Sequence, residues 1–159
     1  VFTYATGRLV LWSRDPTLVD GEGAVLRSRE WRRLAIANPA LAPYGKAAIE
    51  TLGRLGLIEQ VRPRLVQGEN IAQTLQFVAS GNAQLGFVAL SQVMQDGRMT
   101  AGSMWRVPRE WHAAIAQDAL LLQRGRDNPA AVAFLEFLRS ARAREVMQRF
   151  GYEFPAEGS

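Results

Sequence analysis

The chain has 159 residues, of which 48% are hydrophobic and 21% are charged, and its formal net charge is +4. This length suits one ordinary core or two small lobes, and the composition is typical of a globular protein rather than a disordered one. Since the sequence has no cysteine, disulfides, thiolate metal sites and a cysteine nucleophile are excluded.

The first third of the chain begins irregularly and then becomes periodic. Residues 8–12 predict a short strand, residues 15–23 a loop rich in Asp, Gly and Pro, and residues 28–32 a small helix. Strands and helices then alternate, with strands predicted over 34–37, 64–67 and 85–90 and helices over 44–55 and 70–80. This alternation is typical of α/β proteins with a parallel sheet flanked by helices.

The remainder predicts two further strands and one long helix. A turn at Asp96-Gly97 is followed by a strand over 104–107, a polar link over 108–112 and a long strand over 113–123. Asn128 is a natural N-cap and Pro129 suits the first helical position, so we expect the last helix to begin there and to run to Phe150. Its apolar side is too large to remain in water, so this helix must pack against something.

The two strand-to-helix junctions hold the most informative residues. In a parallel sheet, ligands bind where the carboxyl ends of the strands meet the helix N-termini. Pro43 presets a helical φ, and the N–H groups of Tyr44 and Gly45 that follow it have no acceptor within the helix because they lie in its first turn. Asn70 can cap the next helix and leave the N–H of Ile71 unused. Two such helix ends attract anions and would bind an oxyanion. Ordinary junctions with hydrated or capped donors are the alternative interpretation.

Catalysis and metal binding have little support in the sequence. His112 is the only histidine and lies in a polar link, Ser91 lacks the surrounding glycines of a nucleophile elbow, and phosphate-binding glycine motifs are missing. We therefore expect no catalytic residue, no direct protein ligand to a metal and no cofactor. Arg139, Arg142, Arg144 and Arg149 are interleaved with Glu136 and Glu145 and predict a solvated helix face, so no nucleic-acid partner is expected. The apolar runs are too short to span a membrane.

Two segments resemble a known family. LAIANPALAPYGKAAIETLGRLGL over 34–57 and RLVQGENIAQTLQFVASGNAQLGFVALSQV over 64–93 are similar to the molybdate-binding proteins of ABC molybdate transporters. The opening FTYATGRLVLWS and the closing RFGYEF are similar too. The resemblance implies a type II periplasmic-binding-protein fold, a molybdate or tungstate ligand, an ABC transporter permease as partner and a periplasmic location. An effector domain of a transcriptional regulator is the alternative function.

The resemblance also assigns residues. By position, Tyr44 and Ile71 match oxyanion ligands of the family, and Ala42, Pro43, Asn70 and Ala89 would line the site. Some members have tyrosine at the position of Ala89, so any contact that this phenol makes would be lost here or supplied by Tyr44.

A domain arrangement follows from the same resemblance. Residues 1–7 would form a hinge or crossover, residues 8–118 the second lobe of the family, which binds the ligand, and residues 119–159 a return strand and C-terminal helix of the first lobe. The family's hydroxyl and amide ligands from that first lobe would precede Val1, so we expect the chain to be N-terminally incomplete and to bind weakly alone.

Overall fold

A five-stranded mixed sheet forms the centre of the computed structural model, which describes residues 1–155. Its strands are, in spatial order, β4 (Leu65–Gly68), β3 (Leu34–Ala37), β5 (Leu85–Ala89), β2 (Leu9–Ser13) and β8 (Ser103–Arg106). β3 is parallel to both of its neighbours, whereas β2 is antiparallel to β5 and β8. The predicted α/β class is confirmed, and the sheet is mixed.

The two main helices cover opposite faces of this sheet. Helix α1 (Pro43–Arg54) places Leu52 in one core with Ile36 of β3, and helix α3 (Ile71–Ala79) places Val78 in a second core with Ala35. Because successive side chains of a strand point to opposite faces, β3 contributes to both cores. β5 is buried along its whole length, as a strand covered on both faces must be. Two one-turn helices, α2 (Ile58–Val61) and α4 (Leu90–Val93), follow α1 and β5.

A separate antiparallel pair connects this sheet to the C-terminal helices. β1 (Phe2–Gly7) pairs with β9 (Ile115–Ala119), with Gly7 opposite Ile115. Beyond β9 lie α5 (Pro129–Leu138) and α6 (Ala141–Arg149). Glu153 returns to β1, where its backbone exchanges hydrogen bonds with Thr6, and its carboxylate bonds the Arg8 guanidinium at 2.6 Å. The β1–β9 pair is thus bonded through β1 to Glu153, in the segment that follows α6.

Several predicted elements differ from the structure. The helix expected over 28–32 is wrong: a 3₁₀ turn occupies Ala24–Arg27 instead, since Gly23 enters it from the left-handed region. The long strand over 113–123 is only β9, because residues 120–122 leave the ladder. The single last helix is also wrong, because Ser140 adopts an extended backbone and caps α6 by accepting from the Ala143 N–H. The expected turn at Asp96-Gly97 is confirmed in a hairpin of β6 (Met94–Gln95) and β7 (Arg98–Met99).

Helix α5 keeps much of its apolar side in solvent. Phe134 is 58% exposed and Phe137 is 47% exposed. Asn128 caps the helix, as predicted. A groove of about 380 Å³ runs between this helix and β1 and β9, lined by Tyr4, Ala119, Leu120, Leu121, Ala131, Phe134, Leu135 and Leu138. Within residues 1–155, Phe134 and Phe137 stay exposed, whereas Val132, Leu135 and Leu138 of the same helix are partly buried. Residues 156–159 of the predicted C-terminal segment lie outside the described residues.

Candidate functional site

The carboxyl ends of β3 and β4 lie side by side. Ala37 pairs with Gly68 in the ladder, and the Asn38 N–H donates to the Gly68 carbonyl at 2.8 Å. The chain leaves β3 toward α1 on one face and leaves β4 toward α3 on the other. Connections that diverge in this way open a crevice at the edge of the sheet, which is where open α/β proteins bind ligands. The N-termini of both helices therefore lie at the same edge of the sheet.

Helix α1 begins with one free donor. Ala42 has an extended backbone and Pro43, which has no N–H, occupies the first position. The N–H of Tyr44 makes no hydrogen bond to any residue of 1–155, as predicted. The expectation for Gly45 is wrong: its N–H donates to the Ala42 carbonyl at 3.0 Å, because the first turn tightens to a 3₁₀ geometry.

Glycine at position 45 lets this helix start approach the sheet. A Cβ at Gly45 would overlap the Ala37 carbonyl oxygen and lie 3.0 Å from the Asn38 carbonyl carbon. Because Cβ contacts below 3.0 Å force the neighbouring atoms to move, a side chain here would push α1 away from β3. The Tyr44 amide is therefore held at the strand end by close backbone packing rather than by a side-chain cap.

Helix α3 also has a free amide at its first position. The Asn70 side chain accepts from the Gln73 N–H at 2.9 Å, so the predicted cap is confirmed, and Gln73 in return accepts from the Glu69 N–H at 2.7 Å. This reciprocal pair satisfies the N–H groups of Glu69 and Gln73, two residues before and two residues after Ile71. Among residues 1–155, no acceptor bonds the Ile71 N–H, which remains available as predicted.

The third parallel strand end, at Ala89, joins the site through a side chain that sequence reasoning missed. Gln92 accepts from the Ala89 N–H at 3.0 Å and donates to the Ile71 carbonyl at 3.1 Å. The Ala89 N–H is therefore bonded within the protein and is not available to a ligand. A glutamine three residues after a strand end is the spacing of a capping box, and this signal in the sequence indicates Gln92.

The Tyr44 side chain points to the junction between β1 and β2. It is 9% exposed, and a Cβ at Gly7 would overlap its hydroxyl oxygen. Burial raises the pKa of Tyr44 well above its usual range, and the nearby phenols of Tyr152 and Tyr4 raise it further. The phenol is therefore neutral at any physiological pH. Sequence reasoning missed Gly7, since a contact between residues 7 and 44 leaves no local signal.

A cavity of about 360 Å³ lies beside the start of α1. It is lined by Pro39, Ala40, Leu41, Ala42, Pro43, Lys46, Ala47, Glu50, Ala113, Ala114 and Ile115. Of the six predicted site residues, only Ala42 and Pro43 line it. The free amides thus lie at the open edge of the sheet rather than inside this cavity.

The chemistry of the crevice is that of hydrogen-bond donation. The two free amides come from helix N-termini, each of which carries about half a positive charge. Within residues 1–155, no cluster of three or more His, Asp or Glu side chains suits a metal ion. None of the helices in this part of the chain is long and apolar enough to cross a bilayer. The arrangement is therefore suited to an anion that accepts hydrogen bonds.

The mixed sheet and the free amides at its carboxyl edge agree with the family to which the chain is matched. Residues 1–153 match the family of bacterial extracellular solute-binding proteins, and the chain belongs to that family.

Individual proteins of known name and structure are also similar to this chain. The chain is 54% identical over 151 residues to the molybdate-binding protein ModA of Azotobacter vinelandii, covering 95% of the chain and 60% of that protein. It is 49% identical over 152 residues to ModA of Rhodobacter capsulatus, covering 95% of the chain and 58% of that protein. A solved periplasmic molybdate-binding protein of Azotobacter vinelandii superposes with a TM-score of 0.92 at 38% identity, covering 98% of the chain and 68% of that structure. The chain thus spans about three fifths of the length of its curated relatives.

Proposed function

We propose that this chain belongs to a periplasmic protein that captures molybdate, and also tungstate, and delivers it to the membrane permease of an ABC transporter. The free amides of Tyr44 and Ile71, at neighbouring strand ends, are the observation that carries the proposal. The names of the relatives support molybdate as the ion. The role is binding without catalysis.

The chemistry of the ion favours such a site. Molybdate is a fully ionised tetrahedral dianion at neutral pH, so all of its oxygens accept hydrogen bonds. Phosphate is partly protonated, and its O–H would face N–H donors at a cost of about 1–3 kcal/mol for the lost hydrogen bond. Sulfate is a dianion with shorter bonds, so the size of the closed site must reject it. Tungstate is nearly the same size as molybdate and should bind.

The domain arrangement belongs to the same proposal. Residues 8–118 act as one ligand-binding lobe, residues 1–7 as a crossover, and residues 119–159 as part of the other lobe. The exposed apolar side of α5 supports this arrangement, because an apolar patch of this kind marks an interface. The relatives have additional length that this chain does not match, and a lobe built from it would cover the α5 groove.

An NMR titration tests the proposed function directly. Sodium molybdate, tungstate, sulfate and phosphate are added in turn to the isotope-labelled chain at neutral pH, and backbone amide shifts are followed. The method detects weak binding as well as tight binding. We expect saturable shifts at Tyr44 and Ile71 with molybdate and tungstate and much weaker responses with sulfate and phosphate. Absence of a molybdate response at both amides would contradict the proposal.

A further inference from the structure

Tyr44 joins two parts of the molecule that are distant in sequence. Its main chain opens α1, where its N–H is free, while its side chain reaches Gly7 at the end of β1. Gly7 pairs with Ile115 of β9 and is therefore part of the crossing between the sheet and the C-terminal helices. One residue thus contacts the crevice with its amide and the crossing strands with its phenol.

The contact at Gly7 leaves no room for a side chain. A Cβ there would overlap the Tyr44 hydroxyl oxygen, lie 3.0 Å from Tyr44 Cζ and lie 3.6 Å from Gln117 Nε2. The first two contacts are repulsive and the third is ordinary van der Waals contact. The backbone at Gly7 has an extended strand conformation, so close approach explains the glycine, not backbone strain.

The Tyr44 ring has little freedom to yield. It is 9% exposed and packs in the core beneath α1. In a close-packed core, a displaced ring moves the backbone that carries it. A shift at Gly7 therefore reaches the Tyr44 amide.

We propose that Gly7 and Tyr44 form a positioning contact through which the β1–β9 pair sets the Tyr44 amide for anion binding. The proposal rests on the proposed function for the identity of the anion, but the contact itself does not depend on it. Movement of the β1–β9 pair changes the fit of the amide, and an anion on the amide favours one arrangement of the pair. Such coupling is reciprocal by thermodynamic linkage.

A double-mutant cycle tests this contact. The variants are Gly7→Ala, Tyr44→Phe and their combination, with Gly21→Ala as the matched control, because a Cβ at Gly21 meets nothing within 4 Å. Each is examined by amide NMR without ligand and then titrated with sodium molybdate. Gly7→Ala should shift the Tyr44 amide resonance and weaken molybdate binding by about tenfold, since the amide loses its alignment with a charged acceptor.

Rescue distinguishes positioning from simple damage. Tyr44→Phe removes the atom that the new methyl overlaps, so the double variant should recover part of the affinity and move the residue-44 amide back toward its position in the Tyr44→Phe chain. Gly21→Ala should match the parent chain. If Gly7→Ala leaves the Tyr44 amide unshifted, or if the double variant is no better than Gly7→Ala, the inference is wrong. If Gly7→Ala does not fold, recovery of folding in the double variant supports the contact and its absence refutes it.

The two proposals fail separately. Should the parent chain show no molybdate response, the proposed function fails, while the ligand-free shift of the Tyr44 amide and its rescue still decide whether Gly7 positions that amide.

Discussion

Replacing Ile71 with proline removes one proposed donor from the site and leaves the helix start intact. Ile71 is the first residue of α3, a position where proline is favoured. Asn70 before it has φ −149° and ψ 174°, the extended backbone that a residue preceding proline adopts. The Ile71 N–H makes no hydrogen bond within residues 1–155, so the fold loses none.

The expected loss follows from the chemistry of that one bond. A hydrogen bond from an amide to a charged acceptor contributes about 1.5–3 kcal/mol, so Ile71→Pro should weaken molybdate binding by about 10- to 100-fold. The surrounding bonds should persist, since Asn70 still caps Gln73 and the residue-71 carbonyl still accepts from Gln92. Ile71 is only partly buried, so the loss of its side-chain packing is small by comparison.

Ile71→Ala is the matched control, because it removes the side chain and keeps the N–H. Both variants are titrated with molybdate, with the Tyr44 amide as the common NMR probe, and both are unfolded in urea to compare stability. We expect the affinity of Ile71→Ala to stay near that of the parent chain and the affinity of Ile71→Pro to fall. Equal affinities of the two variants, at comparable stability, would refute the assignment of the Ile71 amide as a donor.

Two further predictions concern stability. Glu153→Gln should lower the free energy of unfolding by about 1–3 kcal/mol, since its carboxylate bonds the largely buried Arg8, whereas Glu59→Gln on an exposed pair should cost less than about 0.5 kcal/mol in the same urea unfolding experiment. Burial raises the pKa of Tyr44 in the folded state above its ordinary value of 10.0, so the unfolded chain ionises first and stability should fall as pH rises above about 10. Tyr44→Phe should flatten that part of the urea-measured profile, and an unchanged slope would contradict the burial of the phenol.

The sheet and its junctions were predictable because their signals are local. An apolar run such as 85–90 indicates a strand buried on both faces, and Pro43 and Asn70 mark helix starts through their own backbone and side-chain chemistry. These features place the Tyr44 and Ile71 amides at helix N-termini without any knowledge of packing. Parallel pairing then brings the two junctions to one edge. The main-chain donors of the candidate site could therefore be predicted from the sequence.

Features set by tertiary contact were not predictable in the same way. The closeness of Gly7 to Tyr44 depends on how β1 crosses the edge of the sheet, which no local pattern encodes. The Gly45 N–H donates to the Ala42 carbonyl, because the tight first turn of α1 brings these two groups together. The break at Ser140 had a local signal, a serine suited to capping, but the apolar spacing on both sides concealed it.

Part of the positive charge of this basic chain is bonded to other groups. Arg8 bonds Glu153, Arg62 pairs with Glu59, and Arg64 stacks on Trp31. A guanidinium binds any tetrahedral anion by charge and adapts its long side chain to different sizes. Amides fixed by two helix starts cannot move in this way, so they favour acceptors of one size and protonation state. On the proposed function, the net charge of +4 would draw anions toward the protein in general, while the main chain at Tyr44 and Ile71 selects among them.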